Sequence, residues 1–387
     1  LAGSGCRRPV EKILPFGKAP ENYVYGVPQY YATAMPTQTG AVPLVVKSHE
    51  GRPTKVEGNS LFPESNGGTD RFAQASILNL YDPDRAGRFC KGGFSTTPEA
   101  AFDFLAGVRQ QFGANGGKGL CFLLEHRNSP SRRRARDLVS KRYPEARWYA
   151  DEPIDLDIHR RAASAAFGKA VRPRFHFDKA DVVVSLDCDF IGSEDDAPNH
   201  IRRFTARRQL NSAKDTPNRL YVAESVMSLT GLNADHRLRL PTSEVVRLAA
   251  ALAGAVMKDV GVPPGLEQIG LPGGVDPKWV QACAQDLAAH KGRALVVAGY
   301  RQPLVVHLLA HAMNAALGNL GQTIDFHPAP DEASGDITEL ARALNAGEVE
   351  TLVILGGNPA YTAPTDLQWS TTQRKARTVV RLGYYED

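Results

Sequence analysis

The sequence predicts an α/β protein: a small N-terminal β domain followed by two α/β domains with mainly parallel sheets. Three observations carry that expectation. Continuous apolar runs such as GLCFLLEH (119–126), KADVVVSLDCDF (179–190), RALVVAG (293–299) and ETLVILGGNPAY (350–361) suit strands buried on both faces. Segments of helical periodicity alternate with these runs from Thr97 onward, as parallel sheets flanked by helices require. Before Thr97 the chain instead carries a Pro-, Gly- and Tyr-rich stretch and one hairpin signature.

Composition shifts divide the chain into an extended arm (1–40), a β-rich domain (41–95), a first α/β domain (96–262) and a second (263–387). The arm closes on a strand near YYATAM. In the β-rich domain LVVK and TKVEG read as strands around the turn SHEGRP, where Gly51 permits a positive φ. Thr97 then caps a helix with Pro98 at its first position and Phe102, Leu105 and Val108 on one face. Ser129 and Pro130 open a second helix, whose arginines form a solvated face or a phosphate patch. The Pro/Gly-rich GVPPGLEQIGLPGGVDP (261–277) reads as an interdomain connection, and a second α/β series built like the first follows it.

The 387 residues are 42% hydrophobic and 23% charged with a net charge of +4, ordinary values that exclude global disorder and point to no nucleic-acid partner. The longest apolar stretch, VVRLAAALAGAVM from Val245, is too short to span a bilayer, so no transmembrane segment is expected. Cys6, Cys90, Cys121, Cys188 and Cys283 never approach C-x-x-C spacing, so neither an iron–sulfur cluster nor a zinc site is expected. Small residues before Cys6 resemble the end of an export signal or a weak lipobox, or else an ordinary flexible terminus.

The sharpest local signal is VILGGNPAYTAP (353–364). Gly356, Gly357, Asn358 and Pro359 at the end of a strand let backbone approach a phosphate or pterin, or simply turn the chain. The glycines of GANGGKGL (113–120) precede their strand, the wrong order for a nucleotide-binding loop. His307 and His311 stand four apart on a helix, but Leu308 replaces the glutamate a zinc protease needs, so core packing is expected. Asp187 and Asp189 could share a strand face and meet on a cation or form an acid–base pair, or merely end the strand. No catalytic residue and no metal ligand set is nominated.

Taken in order, LVVKSHEGRPTKVEGNSLFPESNGGTDRFAQASILNLYDPDR (44–85), ADVVVSLDCDF, ADHRLRL (234–240) and VETLVILGGNPAY resemble successive elements of molybdopterin oxidoreductases of the dimethyl-sulfoxide-reductase type. The family's cysteine motif should precede the hairpin, yet residues 7–50 hold no cysteine, and no residue matches the family's metal-bound side chain. GCRRPVEKILPF, YYATAMP and FAQASILNLYDPDR are most similar to the large subunit of alternative complex III, a bacterial quinol:electron-acceptor oxidoreductase. That resemblance implies twin-arginine export to the periplasmic side of the membrane, with membrane quinol-oxidising and cytochrome c subunits as partners. It also implies a region that has lost its cofactor, leaving Gly356 to Pro359 as a vestigial pterin crevice. A ferredoxin-like region carrying the iron–sulfur clusters is then expected after Asp387, making this chain a fragment. The alternatives are an active molybdenum enzyme, with bis-molybdopterin guanine dinucleotide lying along Gly356 to Pro359 and residues 185–192, or a non-catalytic binding protein using the same crevice.

Overall fold

The computed structural model describes residues 17–19, 21–63, 65, 67–258, 260–261, 265–329 and 335–386. Among these the chain forms β1 (Gln29–Pro36), β2 (Ala41–His49), β3 (Arg52–Gly58), the short hairpin β4 (Phe89–Lys91) and β5 (Phe94–Thr96), then β6 (Leu120–Leu124) and β7 (Arg147–Ala150). It continues through β8 (Val171–Phe175), β9 (Val182–Leu186), β10 (Arg219–Glu224), β11 (His236–Arg239), β12 (Ala294–Ala298) and β13 (Ile324–Pro328). It ends with β14 (Gly335–Asp336), β15 (Thr351–Leu355) and β16 (Thr378–Leu382). The fold is α/β with mainly parallel sheets, as the alternation of apolar and helical segments requires.

β1, β2 and β3 form an antiparallel meander. Glu50 (φ 50°) and Gly51 (φ 77°) make its second turn, the positive φ that the sequence reserves for Gly51. Gly58 at the end of β3 is there for a different reason. A Cβ on it would lie 2.1 Å from the carbonyl oxygen of Gly67, so two stretches of backbone meet where no side chain fits. Leu44, Val56 and Ala73 fill the small core beneath. Residues 1–16, Cys6 among them, and residue 20 lie outside the described residues, while the rest of the expected arm, 17–19 and 21–40, is described and carries β1.

The remaining elements fall into two units, one from the described parts of Leu1–Pro153 and Glu332–Asp387, the other from those of Ile154–Asp331. In the first, five parallel strands are ordered β14-β7-β6-β15-β16. Side chains alternate across the sheet. Cys121, Leu123, Leu352 and Ile354 point to a core shared with Leu340 and Leu344 of helix Ile337–Asn345. Leu120 joins Phe112 and Tyr143 in a second cluster, and Phe122 packs there and stacks on Trp148 at 4.1 Å.

Helix Pro98–Gln111 starts as expected, with Thr97 Oγ1 accepting from the Ala100 N–H at 3.2 Å and Pro98 in the first turn. Its apolar face differs from expectation: none of its residues is buried, and Phe102 is 63% exposed. Only Val108, near the last turn, packs against the cluster around Phe112. Helix Pro130–Arg142 buries no residue either, but of its arginines only Arg134 and Arg142 are exposed. Arg132, Arg133 and Arg136 are half-buried, with Arg132 Nη2 donating to the Arg127 carbonyl at 2.7 Å and Arg133 Nη2 to Asn128 Oδ1 at 2.9 Å.

The second unit centres on four parallel strands ordered β11-β10-β9-β12. All of Val182–Leu186 is buried, because helices Val245–Met257, Pro277–Ala289 and Leu304–Ala316 cover one face and Phe177, Phe190 and Phe204 the other. Each buried Val or Leu contributes about 1.5–3 kcal/mol, which makes this the most strongly cored sheet of the two. β8 and β13 form a separate antiparallel pair.

The sheets cut across the expected division at 262/263. The four-stranded sheet joins β9–β11 to β12 from beyond that point, and the five-stranded sheet joins β6 and β7 to β14–β16. The stretch read as an interdomain connection therefore lies within the second unit, where Leu266 and Leu271 pack on the core. Gly and Pro marked a turn-rich loop there, and turn chemistry does not distinguish a loop within a unit from a link between units. Among the described residues no helix is long and apolar enough to cross a membrane.

Candidate functional site

Numbered by appearance within each sheet, the strand orders are 3-2-1-4-5 and 3-2-1-4. Both are doubly wound: connections from the first strand run one way and those to the fourth run the other. A crevice opens between those two strands at their carboxyl ends. In the first unit it lies between β6 and β15, in the second between β9 and β12.

At the first crevice Leu124 and Leu355 are paired in register, and the next residues are Glu125 and Gly356. Gly356 (φ 78°) and Gly357 (φ 65°) both adopt the left-handed conformation, turning the backbone over the strand end. Asn358 and Pro359 follow and start the short turn Pro359–Thr362. All four residues singled out from the sequence line one cavity of about 180 Å³, with Glu125, Asp151 and Glu152.

Glu125 is the residue sequence reasoning missed, and it dominates the geometry. Its Oε1 accepts a hydrogen bond from the Gly357 N–H. Its Oε2 accepts from Arg127 Nε at 2.9 Å and Nη2 at 2.7 Å, while Arg127 Nη1 donates to the Pro36 carbonyl at 3.0 Å. A Cβ on Gly356 would come within 2.8 Å of the Glu125 carboxyl carbon. Arg381 donates to the Gly357 carbonyl at 3.0 Å from Nη2, so this glycine is held through both its polar atoms. Asp151 donates its N–H to the Leu124 carbonyl, and burial raises its carboxyl above the ordinary carboxylate range.

A dinucleotide cofactor fits this arrangement poorly. Pockets for organic ligands commonly hold about 300–1,000 Å³, more than this cavity offers. A pyrophosphate needs backbone N–H donors, and the Gly357 N–H is already given to Glu125. Two further carboxyl side chains stand beside it.

The second crevice repeats the pattern with different chemistry. Leu186 and Ala298 are paired in register and are followed by Asp187 and Gly299. Asp187 sits at φ 55°, a strained conformation for a non-glycine residue. Its Oδ2 accepts from Gln302 Nε2 at 2.9 Å, and burial raises its carboxyl against the pull of Gln302 and Thr242. The left-handed turn at Asp187 ends the alternation that would have put Asp187 and Asp189 on one face. Asp189 Oδ1 instead accepts from the Thr230 N–H at 3.0 Å and hydroxyl at 2.9 Å. The two aspartates thus end the strand separately, and no group of three potential metal ligands occurs among the described residues.

His307 and His311 are buried in helix Leu304–Ala316, as expected for packing side chains. Burial, then the charge of His159, lowers their pKa values to about 3 and about 4. His159 meets the His307 ring edge-on at 5.0 Å and bonds Glu194 Oε2 at 2.9 Å. Cys121, Cys188 and Cys283 are buried and Cys90 exposed, all as free thiols.

These doubly wound sheets and the N-terminal meander define a molybdopterin oxidoreductase-like fold. The particular solved structure that shows it is acetylene hydratase from Pelobacter acetylenicus, which superposes with a TM-score of 0.66 at 10% sequence identity. The match covers 91% of this chain and 60% of that one, so the chain spans less than two thirds of that protein. No protein-family model matches the sequence, and no curated protein does.

Proposed function

We propose that this chain is a non-catalytic, molybdopterin-oxidoreductase-like scaffold of a respiratory quinol:electron-acceptor oxidoreductase. In this reading it supports an iron–sulfur electron-transfer region and docks membrane quinol-oxidising and cytochrome c subunits on the periplasmic side. The observation that supports it best is the self-closed crevice: Glu125 takes the Gly357 N–H that a cofactor phosphate would use. The sequence motifs that resemble the large subunit of alternative complex III support the choice of complex.

The competing reading is an active molybdenum enzyme with a bis-pterin cofactor, favoured by the fold and by the Gly356-Gly357 turn at a switch point. Elemental and pterin analysis of the natively purified protein separates the two. The scaffold reading expects no molybdenum or tungsten on this subunit, and a stoichiometric amount of either overturns it. Iron–sulfur signals in the full-length protein, seen by electron paramagnetic resonance, test the electron-transfer role.

A further inference from the structure

We infer that the Gly356–Gly357 turn is a latent oxyanion site, held closed by the chain's own Glu125 carboxylate acting as an internal ligand. The inference rests on the reading of this crevice as self-closed and adds what the closure conceals.

The Glu125 carboxylate receives what a bound oxyanion would receive. One oxygen takes the backbone N–H of Gly357, while the N–H of Gly356 is given to the Leu382 carbonyl at 2.9 Å. The other takes two donors from one guanidinium, the fork geometry that suits carboxylate and phosphate alike. Each donor residue has an anchor besides Glu125. Arg127 is held by the Pro36 carbonyl through Nη1, and Gly357 by Arg381 through its carbonyl. The space belongs to the glutamate as well, since a Cβ on Gly356 would collide with its carboxyl carbon. Removing that carboxylate leaves a backbone N–H and a guanidinium facing the vacated volume. Asp151 and Glu152 line the same cavity and oppose an anion there. They limit the ligand to a compact one that the Arg127 fork can grip, namely phosphate or pyrophosphate.

The test uses the whole chain and inorganic pyrophosphate, titrated by calorimetry and by ³¹P line broadening. The unaltered protein is expected to show no saturable binding in the millimolar range. Glu125→Ala should bind one equivalent at least about tenfold more tightly, with the gain lost in high salt. Adding Arg127→Ala should return binding to the unaltered level. If E125A does not fold, Glu125→Ser likewise vacates the carboxylate's volume and should show the same gain. A folded E125A with no gain, an E125A/R127A double variant that binds as well as E125A, or an unaltered chain that already binds would each overturn the inference. Molybdenum on the native subunit would overturn the scaffold reading and leave these titrations to stand or fall by themselves.

Discussion

The two α/β units solve one topological problem with the same residue classes at matching positions. In each, the first strand is followed by an acid and the fourth by a glycine: Glu125 with Gly356, Asp187 with Gly299. The contact between acid and glycine differs. At Gly356 the neighbour is the flexible end of a side chain, 2.8 Å from where a Cβ would lie. At Gly299 it is the backbone carbonyl of Asp187, at 1.8 Å. Doubly wound order creates a crevice, but the residue after the first strand decides whether it stays open. One unit closes it with an ion pair that could be displaced, the other with main chain that could not.

Acid should expose the largest difference between the units. Burial lowers His307 and His200 to about 3 and His311 to about 4, all in the second unit. Folded values below the unfolded value near 6.5 mean these imidazoles take up protons only on unfolding. Their contribution is complete above about pH 6.5 and declines as pH falls toward 4, by about 1.4 kcal/mol per pH unit for each one. Denaturation followed at Trp279, the tryptophan of that unit, should therefore weaken by several kcal/mol at pH 4. The transition followed at Trp148 and Trp369 should move less, because the buried histidines among the described residues, His176, His200, His307 and His311, all lie in the second unit. Equal acid sensitivity at both probes would contradict the buried-imidazole account.

Next in size is Gly299→Ala. The backbone of Asp187 cannot yield the missing space, so a loss of about 3–4 kcal/mol in chemical denaturation is expected. Gly356→Ala should cost only about 1–2 kcal/mol, the strain of a left-handed alanine plus a small shift of Glu125. Matching losses would erase the distinction between the two closures. Between these lies Asn314→Leu, expected to cost about 2–3 kcal/mol because it strands a buried backbone pair. Asn314 Oδ1 accepts from the Val296 N–H at 3.0 Å, and its Nδ2 donates to the Val296 carbonyl at 2.7 Å. Phe102→Ser should change stability by no more than about 0.5 kcal/mol, since the ring is mostly in solvent. A larger loss would show that helix Pro98–Gln111 is more firmly packed than its exposure indicates.

Local chemistry was legible where it is short-ranged. Gly51, the Thr97–Pro98 and Ser129–Pro130 caps and the apolar runs all depend on neighbours within a few residues, and all stand where the sequence puts them. The two sheets share a strand order, but each draws strands from both series, so the second series is not a copy of the first. The interleaving of the two sheets was not legible, because strand partners are set by packing between segments far apart in sequence. Glu125 escaped notice for the same reason. Its role exists only once Gly357 arrives beside it, although an acid directly after an apolar strand was weighed at Asp187. The apolar stripe on helix Pro98–Gln111 has the period of a core-facing helix, yet periodicity alone does not say what covers it.

The bond from Gly357 to Glu125 joins residues 232 positions apart. During synthesis at about 5–20 residues per second, β6 would wait roughly 10–50 s for its neighbour β15 to emerge. In that interval the whole of the second unit is made and can fold, while a strand destined for the middle of a sheet has one edge bare. A chaperone-binding or aggregation-prone phase is thus written into the order of the strands. Nascent chains halted between β13 and β15 should show a finished second sheet beside an incomplete first.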